Sequence, residues 1–359
     1  MIQRKYLIPV GVVALLVTVW TLGWFWFARE IQTGLQAFAG QQADNPVTVT
    51  WDGVRVSGYP NRLNTHITRP RGSWSGPDGD IAWAGADTIL GFFKDGGRTV
   101  SFRAPGTHGF TLRNAGSEHS MAAVSEGFSG RLEFDGNGRA TGLRGLATEL
   151  DIAFDDKPAT TLERAAFDWS QSHIGDVAAA TADGIHPDSA GQSLTFSLSG
   201  VSLVTAQLDP NLVGTLGRKL DQLSGQLSVR GALDPADLSP DSLSRWRDAG
   251  GSLELSDFSL VWGPLQIAGD GTLAMDDTLQ PVGAFTAQIA GLDRLINLLE
   301  KTGRMRPQQA AIARIALAVL TRAPANGGSP QARVPVSIQN RQLSIGPIPL
   351  LRLPAINWK

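Results

Sequence analysis

The chain has 359 residues, with 33 acidic and 31 basic side chains and no cysteine. The balanced charge gives no electrostatic case for nucleic-acid binding, and the lack of cysteine excludes thiolate nucleophiles, disulfides and cysteine-ligated metal sites. Glycine (41 residues) and proline (20) are abundant and only 18% of residues are charged, which favours strands joined by tight turns over helices.

The N-terminal segment predicts a membrane anchor. Arg4 and Lys5 precede residues 6–27, about 22 residues without a charge. As a helix rising ~1.5 Å per residue, this run is long enough to cross the ~30 Å hydrocarbon core of a bilayer. The basic pair favours a cytoplasmic N-terminus, and the tryptophans near the end of the run fit an interfacial aromatic belt.

A cleaved signal peptide is the alternative interpretation of this segment. Ala37-Phe38-Ala39 has the small-residue pattern of a cleavage site, but it lies about ten residues beyond the end of the apolar run. The run is also longer than the 7–15 residues of a typical signal-peptide core. We therefore predict an uncleaved signal anchor and stalk over residues 1–44, which places residues 45–359 in the periplasm.

After the stalk, the sequence changes to the alternation of strands. Residues 47–51 and 54–56 alternate apolar with polar side chains, and Asp52-Gly53 stands between them. Asp-Gly between two alternating runs predicts a β-hairpin with its turn at 52–53. A bulge within one longer strand is the alternative. In either case Arg55 alternates with valines and should face water.

The stretch 54–63, VRVSGYPNRL, predicts a bend between two strands. Gly58 relaxes the backbone, and Pro60 fixes φ and cannot donate to a strand ladder. We expect the chain to turn here between strands 54–56 and 63–67, with Tyr59 covering the end of the core. The stretch is interpreted as a fold signature and not as an active site.

Residues 251–291 contain the longest array of predicted strands. Apolar residues recur at strand spacing, and Gly-Pro, Gly-Asp-Gly and Gln-Pro mark the turns. The pattern predicts antiparallel strands with one apolar face, which forms a lipid-binding groove if it is open and a closed core if it is covered. The residues predicted to line this face are Leu253, Leu255, Leu260, Trp262, Leu265 and Ile267.

Helices are predicted to be the minority. Ser239 followed by Pro240 is an N-cap signal for a short helix that stops near residue 250, and residues 211–222 are a weaker candidate. Residues 292–301 and 307–322 predict a helical hairpin. The second of these helices is apolar nearly all round, but Arg314 interrupts a run too short to span a bilayer, so we expect it to pack on the sheet.

No motif for catalysis, metal binding or cofactor binding emerges. None of the five histidines has a second histidine at i+3 or i+4. The stretch 127–130, Gly-Phe-Ser-Gly, lacks the spacing of a nucleophile elbow, and the turn that begins at Asp135 lacks the later carboxylates of a calcium loop. We therefore predict a non-enzymatic protein without catalytic, metal-ligating or cofactor-binding residues.

Several stretches carry a family resemblance. Residues 54–63, 65–70 and 81–83 resemble the start of domain of unknown function family 2125, a family of uncharacterised envelope proteins mainly of alphaproteobacteria, in which Phe often stands in place of Tyr59. Residues 269–291 and 341–356 are also similar to this family and, more distantly, to AsmA-like envelope proteins. The family resemblance implies an all-β, membrane-anchored extracytoplasmic protein, and the distant one implies phospholipid transport or outer-membrane assembly.

These observations together predict a mainly β protein: an extended or curled antiparallel sheet, or sheets, with a C-terminal helical hairpin and one N-terminal transmembrane helix. Residues 45–359 form one β-rich domain, and a division near residue 200 stays open. The predicted function is the binding of phospholipid or lipopolysaccharide, or support of envelope assembly, at the bacterial inner membrane. The alternative is a scaffolding module that binds another envelope protein through a sheet edge or the helical pair.

Overall fold

A computed structural model shows a mainly β chain that divides into two compact units. The first unit comprises residues 1–138 and 151–158, and the second comprises residues 139–150 and 159–359. The structure describes residues 4–40, 47–76, 79–92, 98–114, 116–155, 157, 159–171, 190–203, 210–231, 233, 239–303, 305–322, 331–346 and 348–358.

The described part of the first unit contains one helix and nine strands, all paired antiparallel. Its elements are α1 (Arg4–Gly40), β1 (Val47–Thr50), β2 (Gly53–Ser57), β3 (Asn64–Thr68), β4 (Arg71–Gly76), β5 (Gly79–Ala84), β6 (Thr88–Phe92), β7 (Thr99–Arg103), β8 (Gly106–Asn114) and β9 (Ser117–Phe134).

In its described residues, the second unit is an antiparallel sheet with four short helices. Strand β10 (Ala140–Phe154) begins in it. The other elements are β11 (Thr160–Gln171), β12 (Ala190–Ser202), α2 (Pro210–Leu216), β13 (Lys219–Arg230), α3 (Pro240–Asp248), β14 (Ser252–Trp262), β15 (Leu265–Met275), β16 (Pro281–Ala290), α4 (Leu292–Lys301), α5 (Pro307–Leu320), β17 (Thr321–Arg322), β18 (Gln331–Gln339), β19 (Gln342–Ile345) and β20 (Ile348–Arg352).

The predicted hairpin at 52–53 is wrong, and the alternative of one interrupted strand is what the structure has. Strand β1 pairs with β4 and β2 pairs with β3, so the chain continues in one direction through residues 51–52. The Asp52 N–H donates to the Thr68 carbonyl at 3.0 Å. The Asp52 carboxylate binds the guanidinium groups of Arg69 and Arg71 on the neighbouring strand. These contacts hold the interruption in place, so Asp-Gly does not reverse the chain.

Interruptions of this kind recur through the sheet of the first unit as far as β9, which runs past their level without a break. They lie at residues 51–52, 69–70, 85–87 and 104–105, at matching levels of paired strands. The break at 51–52 shifts the alternation of side chains, as a bulge does, whereas Phe102 and His108 keep the same face across the break at 104–105. The ring of Phe128 packs against Phe102 from one side of the row and His108 from the other, with centroids 5.4 and 5.5 Å away. The breaks therefore keep apolar residues of both halves on one face.

The bend predicted at residues 58–62 is confirmed. The Arg62 N–H donates to the Gly58 carbonyl at 2.8 Å, and the chain returns from β2 into β3. Gly58 has φ of 104°, and a Cβ there would lie only 2.8 Å from the Arg62 carbonyl oxygen. Arg55 is exposed, as predicted. Tyr59, however, does not cover the end of the core, because its side chain is exposed and contacts α1.

In the second unit, one face of the sheet is polar and the other apolar. Along β12, for example, serine and threonine alternate with Leu194, Phe196 and Leu198, which pair with apolar or glycine residues of β13. The register of β14 shifts against β15 between Leu255 and Phe258, where Asp257 takes a φ of 50°. This bulge inserts one residue and reverses the alternation of the strand that follows it.

The helices of the second unit agree with most of the predictions. The Ser239 hydroxyl accepts from the Ser242 N–H at the start of α3, and Leu243 and Trp246 of that helix are buried. The helical hairpin is α4 and α5, joined by hydrogen bonds from Arg314 to Asn297 and Glu300. The helix predicted over 211–222 is wrong beyond residue 216, because Gly217 ends it with a φ of 92° and β13 follows.

The predicted anchor falls within α1, which runs without a break from Arg4 to Gly40. The side chains of residues 4–16 lie outside the described part of the chain. Over its described residues, α1 does not combine the length and hydropathy of a helix that crosses a bilayer, and neither do the other helices.

A strap formed by residues 353–358 fastens to the turn between β15 and β16. The Gln280 side chain donates to the Ile356 carbonyl at 3.0 Å and accepts from the Ile356 N–H at 2.9 Å. The indole of Trp358 donates to the Leu279 carbonyl at 2.8 Å. The turn itself is organised by the Asp276 carboxylate, which accepts from the N–H groups of Thr278 and Gln280 at 2.8 and 2.9 Å.

This turn predicts a pH-dependent contribution to stability. The Gln280 N–H and the Thr278 hydroxyl hold the pKa of the Asp276 carboxyl below its usual value. The stabilisation is therefore complete above the ordinary aspartate pKa of about 4 and is lost as the pH falls through the lowered pKa of the folded state. We expect Asp276→Ala to lower the free energy of unfolding by about 1 kcal/mol at pH 7, because the carboxylate is partly exposed.

The measurement is chemical denaturation of both proteins at pH 7 and near pH 3, where the difference between them should shrink. Asp277→Ala is the matched control, since Asp277 is an exposed neighbouring carboxylate and should leave the free energy of unfolding nearly unchanged. Equal losses in the two variants would contradict the role given to Asp276.

Candidate functional site

The apolar face of the second unit is the main candidate surface. Its residues meet in rows across the strands, since Leu227 of β13 pairs with Leu255 of β14, and Leu253 pairs with Leu273 of β15. A further row joins Leu260 to partners on both sides, Leu223 and Ile267. Cross-strand partners point to the same side of a sheet, so these rows form one continuous apolar surface.

The six residues predicted for this face do lie together on it. Leu253 and Leu255 have odd numbers, whereas Leu260 and Trp262 on the same strand have even numbers. Unbroken alternation would put the two pairs on opposite faces. The bulge at Asp257 reverses the alternation between them, and Trp262 pairs with Leu265 while Leu260 pairs with Ile267.

Helices cover one end of this face and make it a closed core. Leu265 and Ile289 are buried together with Leu216 of α2 and two residues of β18. Leu292 of α4 packs against this cluster. Of the six predicted residues, Leu265 belongs to the buried cluster and three others pack against it: Leu260, Trp262 and Ile267.

The remaining part of the face is less covered. Leu253 and Leu255 are only half-buried, and Leu227 in the row beside them is 38% exposed. The core cluster found among the described residues does not include any of these three. A partly exposed apolar strip thus continues from the helix-covered core along β12 to β16, and we call it the open strip.

Aromatic rings lie flat on this strip because glycines stand beneath them. The ring of Phe285 occupies the place that a Cβ on its cross-strand partner Gly271 would take. The ring of Phe196 lies 3.1 Å from the same position on its partner Gly225. Phe167 covers Gly145 in the same way. Rings over glycines fill the gap that the missing side chains leave, and they give the strip a shallow, smooth floor.

Sequence reasoning missed these aromatic–glycine pairs. Phe285 and Gly271 are fourteen positions apart, and nothing in their local sequence links them. The signal appears only when strands β15 and β16 are placed in register, because the two residues then stand opposite each other. A glycine opposite an aromatic residue in two neighbouring predicted strands is the pattern that could have revealed the strip.

The first unit has a groove of about 350 Å³ on the side of its sheet that carries small residues. Arg71 is the sole ionisable side chain among those that line it, and it is held by Asp52. General acid–base chemistry needs two titratable groups that face one cleft, and this groove does not supply them. Its lining residues are Thr48, Thr50, Arg71, Gly72, Ser73, Ala82, Trp83, Ala84, Gly109 and Thr111.

The titratable groups with shifted pKa values serve local structure. The Ser120 N–H and His119 lower the pKa of Asp155, which is an exposed carboxylate at a strand end. A hydrogen bond to Glu163 raises the pKa of the exposed Lys219 amine. Among the described residues, no three His, Asp or Glu side chains come together as metal ligands.

Comparison with known proteins identifies a family and no curated relative. A family described as an uncharacterized protein conserved in bacteria, DUF2125, matches the chain over residues 24–354. No curated protein matches the chain. The match includes the second half of α1 and the corner at 58–62, and it ends at residue 354, within the strap. The description of the family carries no activity, ligand or partner.

Proposed function

The chain belongs to the DUF2125 family, and from that premise we propose a non-enzymatic, membrane-anchored periplasmic protein that binds lipid acyl chains on the apolar face of its second unit. The proposal places residues 6–27 in the bacterial inner membrane, with the N-terminus in the cytoplasm and the chain after the anchor in the periplasm. Support for the anchor comes from the uncharged run itself and from the two basic residues that precede it.

The observation that carries the proposal is the open strip beside the helix-covered core. A contiguous exposed apolar patch on a protein surface marks a site for a ligand, a partner or a membrane. An acyl chain gains free energy from any apolar area that it covers and needs no directed hydrogen bond. The flat rings of Phe196 and Phe285 offer such a surface without side chains that would obstruct an extended chain.

The class of lipid follows from two features. The strip extends from β12 to β16, and its cross-strand rows contain no charged side chain. It therefore suits the acyl chains of a lipid, whose headgroup would lie outside the strip. The resemblance of residues 269–291 and 341–356 to AsmA-like proteins favours phospholipid or lipopolysaccharide as the ligand. The same resemblance favours a role in envelope assembly.

Lipid retention by paired variants tests the proposal. The full-length protein is purified in detergent, and retained lipid is identified by native mass spectrometry. Leu227→Glu places a charge on the exposed part of the strip, and we expect it to reduce retained lipid severalfold. Gln226→Glu adds the same charge one residue earlier, on the polar face, and should retain lipid like the parent chain.

Two results would count against lipid binding on the strip. One is a parent protein that retains no lipid while its apolar strip stays accessible to solvent probes. The other is an equal loss of lipid in the two glutamate variants, which would show an effect of charge without regard to face.

A scaffolding role is the second candidate, and helix α5 is the observation that favours it. Ile312 and Ile315 on this helix are each 68% exposed, although the sequence predicted that the helix packs on the sheet. Of the helix side chains that the structure describes, residues 307–315, only Ala310 is fully buried. Exposed isoleucines three residues apart form an apolar helix face that another envelope protein could cover.

The two candidate functions differ in what contacts α5. A photoreactive residue in place of Ile312 should crosslink one envelope protein if the chain is a scaffold. Crosslinking to lipid alone, or to nothing, would leave the lipid-binding proposal as the better account.

A further inference from the structure

Helix α1 is fastened to the corner formed by residues 58–62. The indole of Trp20 donates to the Pro60 carbonyl at 2.9 Å, and the indole of Trp24 donates to the Arg62 carbonyl at 3.0 Å. The Tyr59 hydroxyl lies 2.6 Å from the Thr21 hydroxyl. These three contacts satisfy two backbone carbonyls of the corner and tie it to two successive turns of the helix.

The packing of aromatic rings and a hydrogen bond to strand β2 extend this attachment. The Tyr59 ring stacks on Phe25 and meets Trp24 edge-on, with centroids 5.9 and 5.5 Å away. Farther along α1, Ala28 is buried, and the Gln32 side chain donates to the Val54 carbonyl of β2 at 3.4 Å. The helix therefore contacts both the corner and strand β2, and it fixes their positions relative to each other.

At the same level, the surface of α1 that the corner leaves uncovered is apolar. Residues 17–27 contain no charged side chain, and Thr18 and Thr21 are their only polar ones. Polar composition begins at Arg29 and Glu30. The exposed apolar side chains of this part of the helix are Val17, Val19, Trp20, Leu22, Phe25, Trp26 and Phe27.

The corner lies on the apolar side of this boundary. Its contacts are made at Trp20 and Trp24, three to seven residues before Phe27, which corresponds to roughly 5–10 Å along the helix axis. Structures that lie at a membrane surface bury their apolar side by about 5–10 Å into the boundary between headgroups and acyl chains. A bilayer that contains the apolar part of α1 therefore reaches the corner.

We propose that the corner at residues 58–62 is a membrane-docking element that lies beside α1 at the boundary between the headgroups and the acyl chains of the bilayer. This inference rests on the anchor in the proposed function. Tyr59, 44% exposed, presents an apolar ring with a polar hydroxyl, a combination that the membrane interface favours. Arg29 and Arg62 are exposed on the helix and the corner, and their charges suit lipid phosphates.

Docking of this kind fixes the first unit against the bilayer. A chain tethered only by a flexible stalk would move freely above the membrane. Because α1 continues unbroken through the contacts with the corner, the sheet that begins at β2 and β3 is held at the surface instead.

The lack of cysteine allows the depth of single positions to be measured. Asn61→Cys places a fluorescent label on the exposed corner, Val19→Cys places it on the apolar side of α1, and Thr107→Cys places it on an exposed position of β8 in the same unit. Each full-length variant is reconstituted into vesicles of phosphatidylethanolamine and phosphatidylglycerol, with and without lipid-borne spin-label quenchers at the headgroup.

We expect the label at position 61 to be quenched severalfold more than the label at position 107, and its emission to shift to shorter wavelength. If position 19 is quenched while position 61 behaves like position 107, the docking is overturned and the anchor stands. If position 19 also escapes quenching, the anchor in the proposed function fails together with the docking.

Discussion

Replacing Gly291 by alanine is expected to lower the free energy of unfolding of the second unit by roughly 2–5 kcal/mol. Gly291 joins β16 to α4 with a φ of 80°, a region that costs an L-residue ~1–2 kcal/mol. A Cβ there would also press into the Pro264 carbonyl oxygen, well inside van der Waals contact. Such overpacking against a backbone adds ~1–3 kcal/mol.

Gly303, at the other end of α4, is the matched control. It has a similar φ of 70°, but a Cβ there would meet nothing within 4 Å. Gly303→Ala should therefore cost only the backbone contribution of ~1–2 kcal/mol. Chemical denaturation followed by tryptophan fluorescence measures both variants. Equal losses would show that the contact with Pro264 does not limit the site.

Leu265→Ala should destabilise the protein far more than Leu227→Ala, although both leucines lie on the same apolar face. Leu265 is 8% exposed within the helix-covered core, so truncation removes buried area and leaves a cavity, at a cost of about 2–5 kcal/mol. Leu227 is 38% exposed, and its truncation should cost less than about 1 kcal/mol.

The pair also separates stability from lipid retention. Leu265→Ala should leave lipid retention per folded molecule unchanged, whereas Leu227→Ala should reduce it in spite of the small change in stability. Similar losses of stability at both positions, measured by denaturation in detergent, would contradict the division of the face into a closed and an open part.

The sequence predicted the type of most elements but not how some strands are interrupted. Alternation showed strands, and Ser239-Pro240 located a helix start, because both signals are local. Asp52-Gly53 gave the wrong topology because a turn signal and a strand interruption use the same residues. The two alternatives are distinguished only by contacts with distant strands. Strand β1 pairs with β4, and the Asp52 carboxylate binds Arg69 and Arg71.

The sequence predicted which residues form the candidate face, but it did not predict which of them the helices cover. Leu253 to Ile267 were placed on one face because they are apolar at strand spacing. Which of them α2 and α4 cover depends on contacts between residues far apart in the sequence, such as Leu216 with Leu265. For the same reason, residues 58–62 were correctly predicted as a bend while their contact with α1 went unseen.

The strap at residues 353–358 has a consequence for the order in which the second unit is completed. Most of its strands pair with neighbours in sequence, so each can join the sheet soon after it is synthesised, and such local topologies fold readily. The bonds from Gln280 to Ile356 span 76 residues. They cannot form until β16, the helical hairpin and the strands β17 to β20 have emerged. During synthesis from the N-terminus, the turn at Asp276 can therefore form first, and the strap binds to it last.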